Sequence, residues 1–217
     1  MWTVELHCHT LYSPDCLTRL EDLIAACRRK RIDKLAVTDH NTARGALMLQ
    51  QMAPDLIIVG EEVRTSRGEL LAYFLSETIP PDLSPEETIA RIRAQGGLVG
   101  ISHPLDRVRH EAMGREAALS IIDQVDMIEV FNARSVFHAD NAGALALAEA
   151  HSKLKIAGSD AHTIYELGRA TLRMRPFTGP QDFLAALAGA QIVARPTTRL
   201  IHLASRWAAW RKRLGGG

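Results

Sequence analysis

The sequence predicts an α/β fold assembled from repeated βα units. Short apolar runs rich in Val, Ile and Leu alternate with longer stretches of helical periodicity, and most of the runs stop at or just before a polar residue. The length of 217 residues, 47% of them hydrophobic, suits one domain with a sizeable core and is short for two. The expected organisation is one folded domain over residues 1–196 and a basic tail over residues 197–217.

Taken in order, the strands are expected at residues 4–7, 35–38, 56–59, 70–74, 98–102, 127–131, 155–157 and 170–174. Two helix starts stand out between them. Thr18 with Glu21 three residues on, and Ser84 with Glu87, both fit a reciprocal N-terminal cap, the second with Pro85 in the first helical position. Residues 64–68, between two apolar runs and ending in Gly68, read as a hairpin loop. In the tail, Leu200, Ile201, Leu203, Ala204, Trp207 and Trp210 fall roughly on one helical face, with Arg206, Arg211, Lys212 and Arg213 mostly elsewhere. That apolar face is expected to dock on the domain, with a membrane-surface or partner helix as the alternative.

Composition narrows the function classes. Lys and Arg number 26 against 25 Asp and Glu, so no global field marks a binder of duplex DNA or a polybasic membrane protein, and a negative substrate must be attracted locally. Cys8, Cys16 and Cys27 form an odd set without CxxC spacing, which suits a reducing compartment. The first residues carry no basic segment followed by an apolar run, and no stretch reaches membrane-spanning length. A cytoplasmic location is expected, and oligomeric state is open.

The chemistry gathers where the strands stop. In Glu5-Leu6-His7-Cys8-His9 a period of two puts both imidazoles on one face and the thiol on the other, a metal-ligand spacing for an extended strand. Alone that signal is weak. It recurs in phase, with Asp15 after Tyr12-Ser13-Pro14, then Thr38-Asp39-His40-Asn41, Gly60-Glu61-Glu62-Val63, Ser102-His103-Pro104 and Gly158-Ser159-Asp160-Ala161-His162. In a parallel barrel such strand ends open on one face, so residues remote in sequence converge.

This ordered series resembles the PHP family, the polymerase and histidinol phosphatase superfamily, from residue 2 to about residue 195. The resemblance implies a distorted (β/α)7 barrel holding two to three divalent ions, Mn, Fe or Zn, at the C-terminal mouth of the strands. It implies a metal-dependent phosphoesterase that hydrolyses a small phosphate mono- or diester, nucleotide-like or sugar-phosphate-like, by metal-activated hydroxide. Carried onto this sequence, it assigns His7, His9, Glu62 and Asp160 to one metal, with Glu62 bridging to a second beside His103. Asp15, His40 and His162 would hold a third. The family often supplies another His from the strand after the bridging Glu; Glu69 stands there instead, a competent oxygen ligand that favours Mn or Fe, or else a solvated hairpin carboxylate.

Asp160, His162 and Arg134 are the expected catalytic set, and Asn132 and Arg134, at the end of Glu129-Val130-Phe131, the expected substrate contacts. A guanidinium there could grip a phosphate with two parallel bonds. Asp39 and Asn41 either fix the His40 ring or simply form a turn. His110, His138 and His151 match no motif and read as ordinary surface or helix residues. Two other classes compete. A non-catalytic metal-binding module would be expected to lack ligands, and an amidohydrolase would want eight strands and typically a bridging lysine where Glu62 stands. The expected partner is a small phosphorylated molecule, with a nucleotide or short oligonucleotide possible; an aromatic content of 5% and no basic stripe argue against nucleic-acid binding as such.

Overall fold

The computed structural model describes residues 1–198 and 201–215; Arg199 and Leu200, part of the expected tail face, lie outside the described residues, as do the last two glycines. The strands are β1 (Trp2–Glu5), β2 (Lys34–Val37), β3 (Ile57–Thr65), β4 (Gly68–Tyr73), β5 (Leu98–Ile101), β6 (Met127–Asn132), β7 (Leu154–Gly158), β8 (Ala170–Met174) and β9 (Gln191–Ala194). Helices α1 (Leu20–Lys30), α2 (Arg44–Met52), α3 (Pro85–Ala94), α4 (Gly114–Ser120), α5 (His138–Ala150), α6 (Gly179–Leu187) and α7 (Ile201–Gly215) intervene or follow.

The strands form one sheet in the order β7-β6-β5-β4-β3-β2-β1-β8-β9, curled into a nearly closed, distorted barrel. Pairing is parallel from β1 through β3 and from β5 through β7. It is antiparallel on both sides of β4 and of β8, so these two strands run against all the others. Closure comes at the mouth. Beyond β1, Cys8 bridges Ala161 beyond β7, with the His9 amide donating to the Ala161 carbonyl at 2.9 Å. A second isolated bridge, His40 to Glu62, prolongs the β2–β3 pairing to the same end.

Alternation along the strands explains the layering. On β3, Ile58 and Glu62 share a face; so do Tyr73, Leu71 and Glu69 on β4, and Met127 and Glu129 on β6. One end of that face joins a buried apolar cluster with Val4, Leu98, Ile156 and Leu172, and the other end is polar. Helix α6 plugs the apolar end with Phe183, whose ring packs edge-on against Phe177 at 5.1 Å and Phe74 at 5.5 Å. The opposite strand face packs against α1 to α5 through a larger cluster that includes Leu23, Cys27, Leu49, Ile92 and Leu147.

The structure corrects several expectations. Thr18 does not cap α1: Arg19 is the N-cap, and the Thr18 hydroxyl donates to the carbonyl of His162. Ser84 does cap α3, accepting from the Glu87 amide at 3.1 Å with Pro85 next to it. Strand β3 runs on past residue 59 to Thr65, because Glu61 and Glu62 are paired with Ala72 and Leu71 in a hairpin rather than marking its end. Strand β9 was not expected, since Gln191, Ile192 and Val193 are exposed and give no buried-face signal.

Helix α7 lies against the barrel mouth, but not through the face expected. Ser205 and Ala208 are buried there and Lys212 donates to the carbonyls of Leu11 and Ser13, while Leu203, Trp207 and Trp210 face away. Among the described residues no helix is long and apolar enough to cross a membrane.

Beside this frame, Glu61 is fully buried, with one oxygen accepting the Ile79 amide at 2.9 Å and the other unpaired among the described residues. Burial lifts its pKa from 4.5 to about 8. A raised carboxyl pKa favours the protonated form in the fold, so this contribution is fully present below the unfolded pKa and lost as pH rises through the folded one. Glu61→Gln removes that loss. Urea unfolding should find the variant and the parent similar near pH ~5 and the variant more stable by on the order of 2 kcal/mol near pH ~9.

Candidate metal centre

The mouth brings together all nine residues that the sequence nominated as ligands. His7, His9, Glu62 and Asp160 are completely buried, Glu69, His103 and His162 nearly so, and Asp15 and His40 partly. Glu62 sits at the centre. Its Oε2 lies 3.3 Å from His7 Nε2, 3.5 Å from His9 Nε2 and 3.2 Å from His40 Nδ1, and its Oε1 lies 3.0 Å from His103 Nε2. On one side Asp160 Oδ1 approaches His9 Nε2 at 3.1 Å. On another Asp15 Oδ2 is 2.9 Å from His162 Nε2, and its Oδ1 is 3.7 Å from His40 Nε2. Glu69 is not a solvated hairpin carboxylate: it stands 3.5 Å from His103 and 3.6 Å from His40.

Three groups of donor atoms are each within 4.8 Å of one another: His7, His9 and Glu62; His9, His40 and His162; His40, Glu62 and Glu69. Shared members make this one continuous cluster.

Its electrostatics follow from four clustered carboxylates. Burial works against a charge on His40, yet Glu62, Glu69 and Asp15 outweigh it and raise its pKa to about 10. Burial likewise opposes His7, and Glu62, Glu129 and Asp160 drive its pKa well up. Burial with the neighbouring His162 and His40 drops His9 to about 3. Burial opposes ionisation of Glu62 and Asp160, but the surrounding cations hold both carboxyls well below their usual range. The cluster therefore draws positive charge onto itself, while His7 Nε2, Glu62 Oε2, Asp15 Oδ1 and His162 Nε2 have no hydrogen-bond partner among the described residues. Buried polar atoms are seldom left so, and divalent cations would satisfy them.

Behind the ligating faces, other groups fix the rings. Glu129 Oε1 accepts a hydrogen bond from His7 Nδ1 at 2.9 Å, and its Oε2 accepts from the His103 amide and the Asn132 side chain. Ser13 Oγ donates to Asp39 at 2.8 Å, so at 3.0 Å from His9 Nδ1 it must accept the ring proton. With those protons on Nδ1, both histidines would offer Nε2 to a cation in the cluster. Asp39 acts on His9 through Ser13, and does not touch the His40 ring; Asn41, in the left-handed region at φ 57°, accepts the Arg64 amide. Glu5 anchors the 158–168 loop through Ser159 and Gly168.

Asn132 does not face a substrate cavity. Its amide contacts Glu129 and Asp160, and its carbonyl oxygen accepts the Arg134 amide, so it braces the centre. Arg134 is buried with its guanidinium against His162 Nδ1, Ser205 and, at 3.4 Å, Glu166. Arg109 reaches from the loop after His103 to the carboxylate of Asp160. Both arginines line a cavity of about 570 Å³ over the centre, with Asp15, His40, Glu69 and His162 in its floor and His202, Lys212 and Arg213 of α7 in its wall.

The sequence motifs give no role to Glu129, Arg109 or Ser13, and place the tail helix on the domain without assigning it to the cavity. An acid inside the apolar run of β6 was the available signal for Glu129; the others depend on loop paths that no periodicity encodes.

A match to the PHP domain family covers residues 5–68, and a match to the PHP-associated family covers residues 138–192. The uncharacterized protein MJ1587 of Methanocaldococcus jannaschii is 36% identical over 150 residues, which span 63% of this chain and 83% of that protein. A crystal structure from Bifidobacterium adolescentis, of a protein proposed to be a metal-dependent phosphoesterase, shares the fold with a TM-score of 0.60 and 17% identity, over 75% of this chain and 87% of that one. A structure described as an amidohydrolase from Chromobacterium violaceum, with sulfate bound, superposes with a TM-score of 0.63 and 16% identity, over 94% and 96% of the two chains.

The closeness of β7 to β1 gives a sharp test. A Cβ on Gly158 would stand 2.2 Å from His7 Cβ and 2.5 Å from Glu129 Oε1. Gly158→Ala must therefore displace the His7–Glu129 pair, and a loss of about 2 kcal/mol or more is expected in denaturant unfolding, as for other overpacked sites.

Proposed function

This chain belongs to the PHP domain family, and on that footing we propose that it is a metal-dependent phosphoesterase acting on a small phosphate mono- or diester. One observation carries the reading. His7 Nε2 and Glu62 Oε2 are fully buried, 3.3 Å apart, without hydrogen-bond partners among the described residues, and ringed by further imidazoles and carboxylates. Each such group left bare costs about 1–3 kcal/mol, which a bound cation would recover.

In this reading His7, His9, Glu62 and Asp160 would hold one ion, and Glu62, Glu69 and His103 would serve a second. Asp15, His40 and His162 would hold a third. The set is nitrogen and carboxylate oxygen with no thiolate, since Cys8 packs into the apolar cluster on the other strand face, and suits Mn, Fe or Zn. Bound cations of this kind neutralise ester oxygens and make water ionisable near neutral pH.

The chain's own residues supply the rest. Glu129 and Ser13 keep the protons of His7 and His9 on Nδ1. Ligation through His162 Nε2 likewise needs its proton on Nδ1, where the Asp160 carbonyl accepts it at 2.9 Å. That proton excludes the present contact of Arg134 with the same nitrogen. The guanidinium, held by Glu166 and Ser205 and lining the cavity, would there bind a phosphate oxygen. Arg64, Lys212 and Arg213 at the cavity wall give an anionic substrate a local attraction that the balanced net charge does not provide.

Phosphate release from nucleotide mono-, bis- and cyclic phosphates, short oligonucleotides and an aryl phosphate tests the proposal. Turnover should depend on added manganese and disappear in Glu62→Gln. Glu129→Gln should lower metal affinity by about 10- to 100-fold, read by metal titration. Arg134→Lys should raise KM about tenfold with a smaller change in kcat. A filled centre without turnover on any of these esters would point to a metal-binding module, and turnover on amides alone to amidohydrolase chemistry.

A further inference from the structure

Helix α7 has two faces, and among the described residues only one is occupied. The inward face carries buried Ser205 and Ala208, His202 against the Arg134 carbonyl, and Lys212 on the carbonyls of Leu11 and Ser13. At about 100° per residue, Leu203, Trp207, Trp210 and Leu214 form a stripe on the opposite side. They are exposed by 59%, 51%, 59% and 68%, which is far more apolar surface than a solvated helix needs. Arg206 and Arg213 flank the stripe on one side and Arg211 on the other, with Arg211 5.3 Å over the Trp207 ring. The helix holds four cations, Arg206, Arg211, Lys212 and Arg213, and no Asp or Glu.

We propose that this outward face of α7 docks on an anionic lipid surface. An apolar stripe with indoles at its middle matches the headgroup level of a bilayer, and arginines along both edges match lipid phosphates. The charge argues against a second copy of the chain. Apposing two such stripes would bring Arg206, Arg211 and Arg213 of one helix against their equivalents on the other, with no acid on either to offset them. Spanning is excluded for α7, whose 15 residues are short of a bilayer. Because the inward face walls the cavity, docking would hold the mouth of the barrel beside the membrane.

Full-length protein mixed with vesicles of phosphatidylcholine alone, or with about a third phosphatidylglycerol, supplies the test. The expected result is co-sedimentation with the anionic vesicles only, weakened by salt, with a blue shift of tryptophan emission. The double variant Trp207→Ser/Trp210→Ser should lose about tenfold or more of that partition, and so should Arg206→Glu/Arg211→Glu, with melting curves unchanged because these side chains are solvent-facing. Absence of binding to anionic vesicles, or equal binding by both variants, overturns the proposal. So does a dimer in sedimentation velocity that the tryptophan variant dissociates, which would assign the stripe to a second copy.

Discussion

A single buried carboxylate organises this molecule. Glu62 is inaccessible to solvent, and its two oxygens face the rings of His7, His9, His40 and His103 at 3.0–3.5 Å. An ionised carboxylate removed from water is tolerated only where positive charge and hydrogen bonds replace the lost hydration. That requirement fixes what can surround it. The histidines arrive from the ends of β1, β2 and β5, so the strands must converge, and the two isolated bridges that bring them together lie at the ligands themselves. Barrel closure and assembly of the centre are thus the same event.

The layering of the barrel follows from the same demand. Strand faces that carry Glu62, Glu69 and Glu129 at one end carry Ile58, Tyr73 and Met127 at the other, and the apolar end is sealed by Phe183 of α6. A dry wall beneath the centre strengthens each electrostatic contact in it. It also makes every unpaired polar atom costly, which is why buried acids and hydroxyls such as Glu129, Glu5 and Ser13 stand behind the histidines with defined partners. The left-handed backbone at Asp160, with φ 51°, is tolerated because its carboxylate is held by Arg109 and Asn132 together.

Helix α7 shows how an amphipathic pattern can be read correctly and placed wrongly. The clustering of Leu203, Trp207 and Trp210 predicts one apolar face, and the natural inference is that this face packs on the domain. In the structure the polar face does so, because Ser205 accepts from the Arg134 guanidinium, Lys212 donates to the carbonyls of Leu11 and Ser13, and the His202 ring meets the Arg134 carbonyl. Hydrogen-bonding opportunity outweighed hydrophobic burial there, and periodicity carries no information about it.

What the sequence determined by itself was the set of polar residues at strand ends and the alternation that aims them. Period-two geometry put His7 with His9 and away from Cys8, and the recurrence of TDHN, GEEV, SHP and GSDAH placed further donors at the ends of successive strands. Those are properties of local backbone geometry, which a short segment encodes completely. Only the tertiary structure decided that Glu69 turns into the centre rather than into solvent, that Asn132 braces Asp160 instead of facing a cavity, and that Glu129 sets the His7 tautomer. Each of these depends on which remote strand lies alongside and on how a loop returns, and such contacts are fixed by packing over distances in sequence that no local pattern spans.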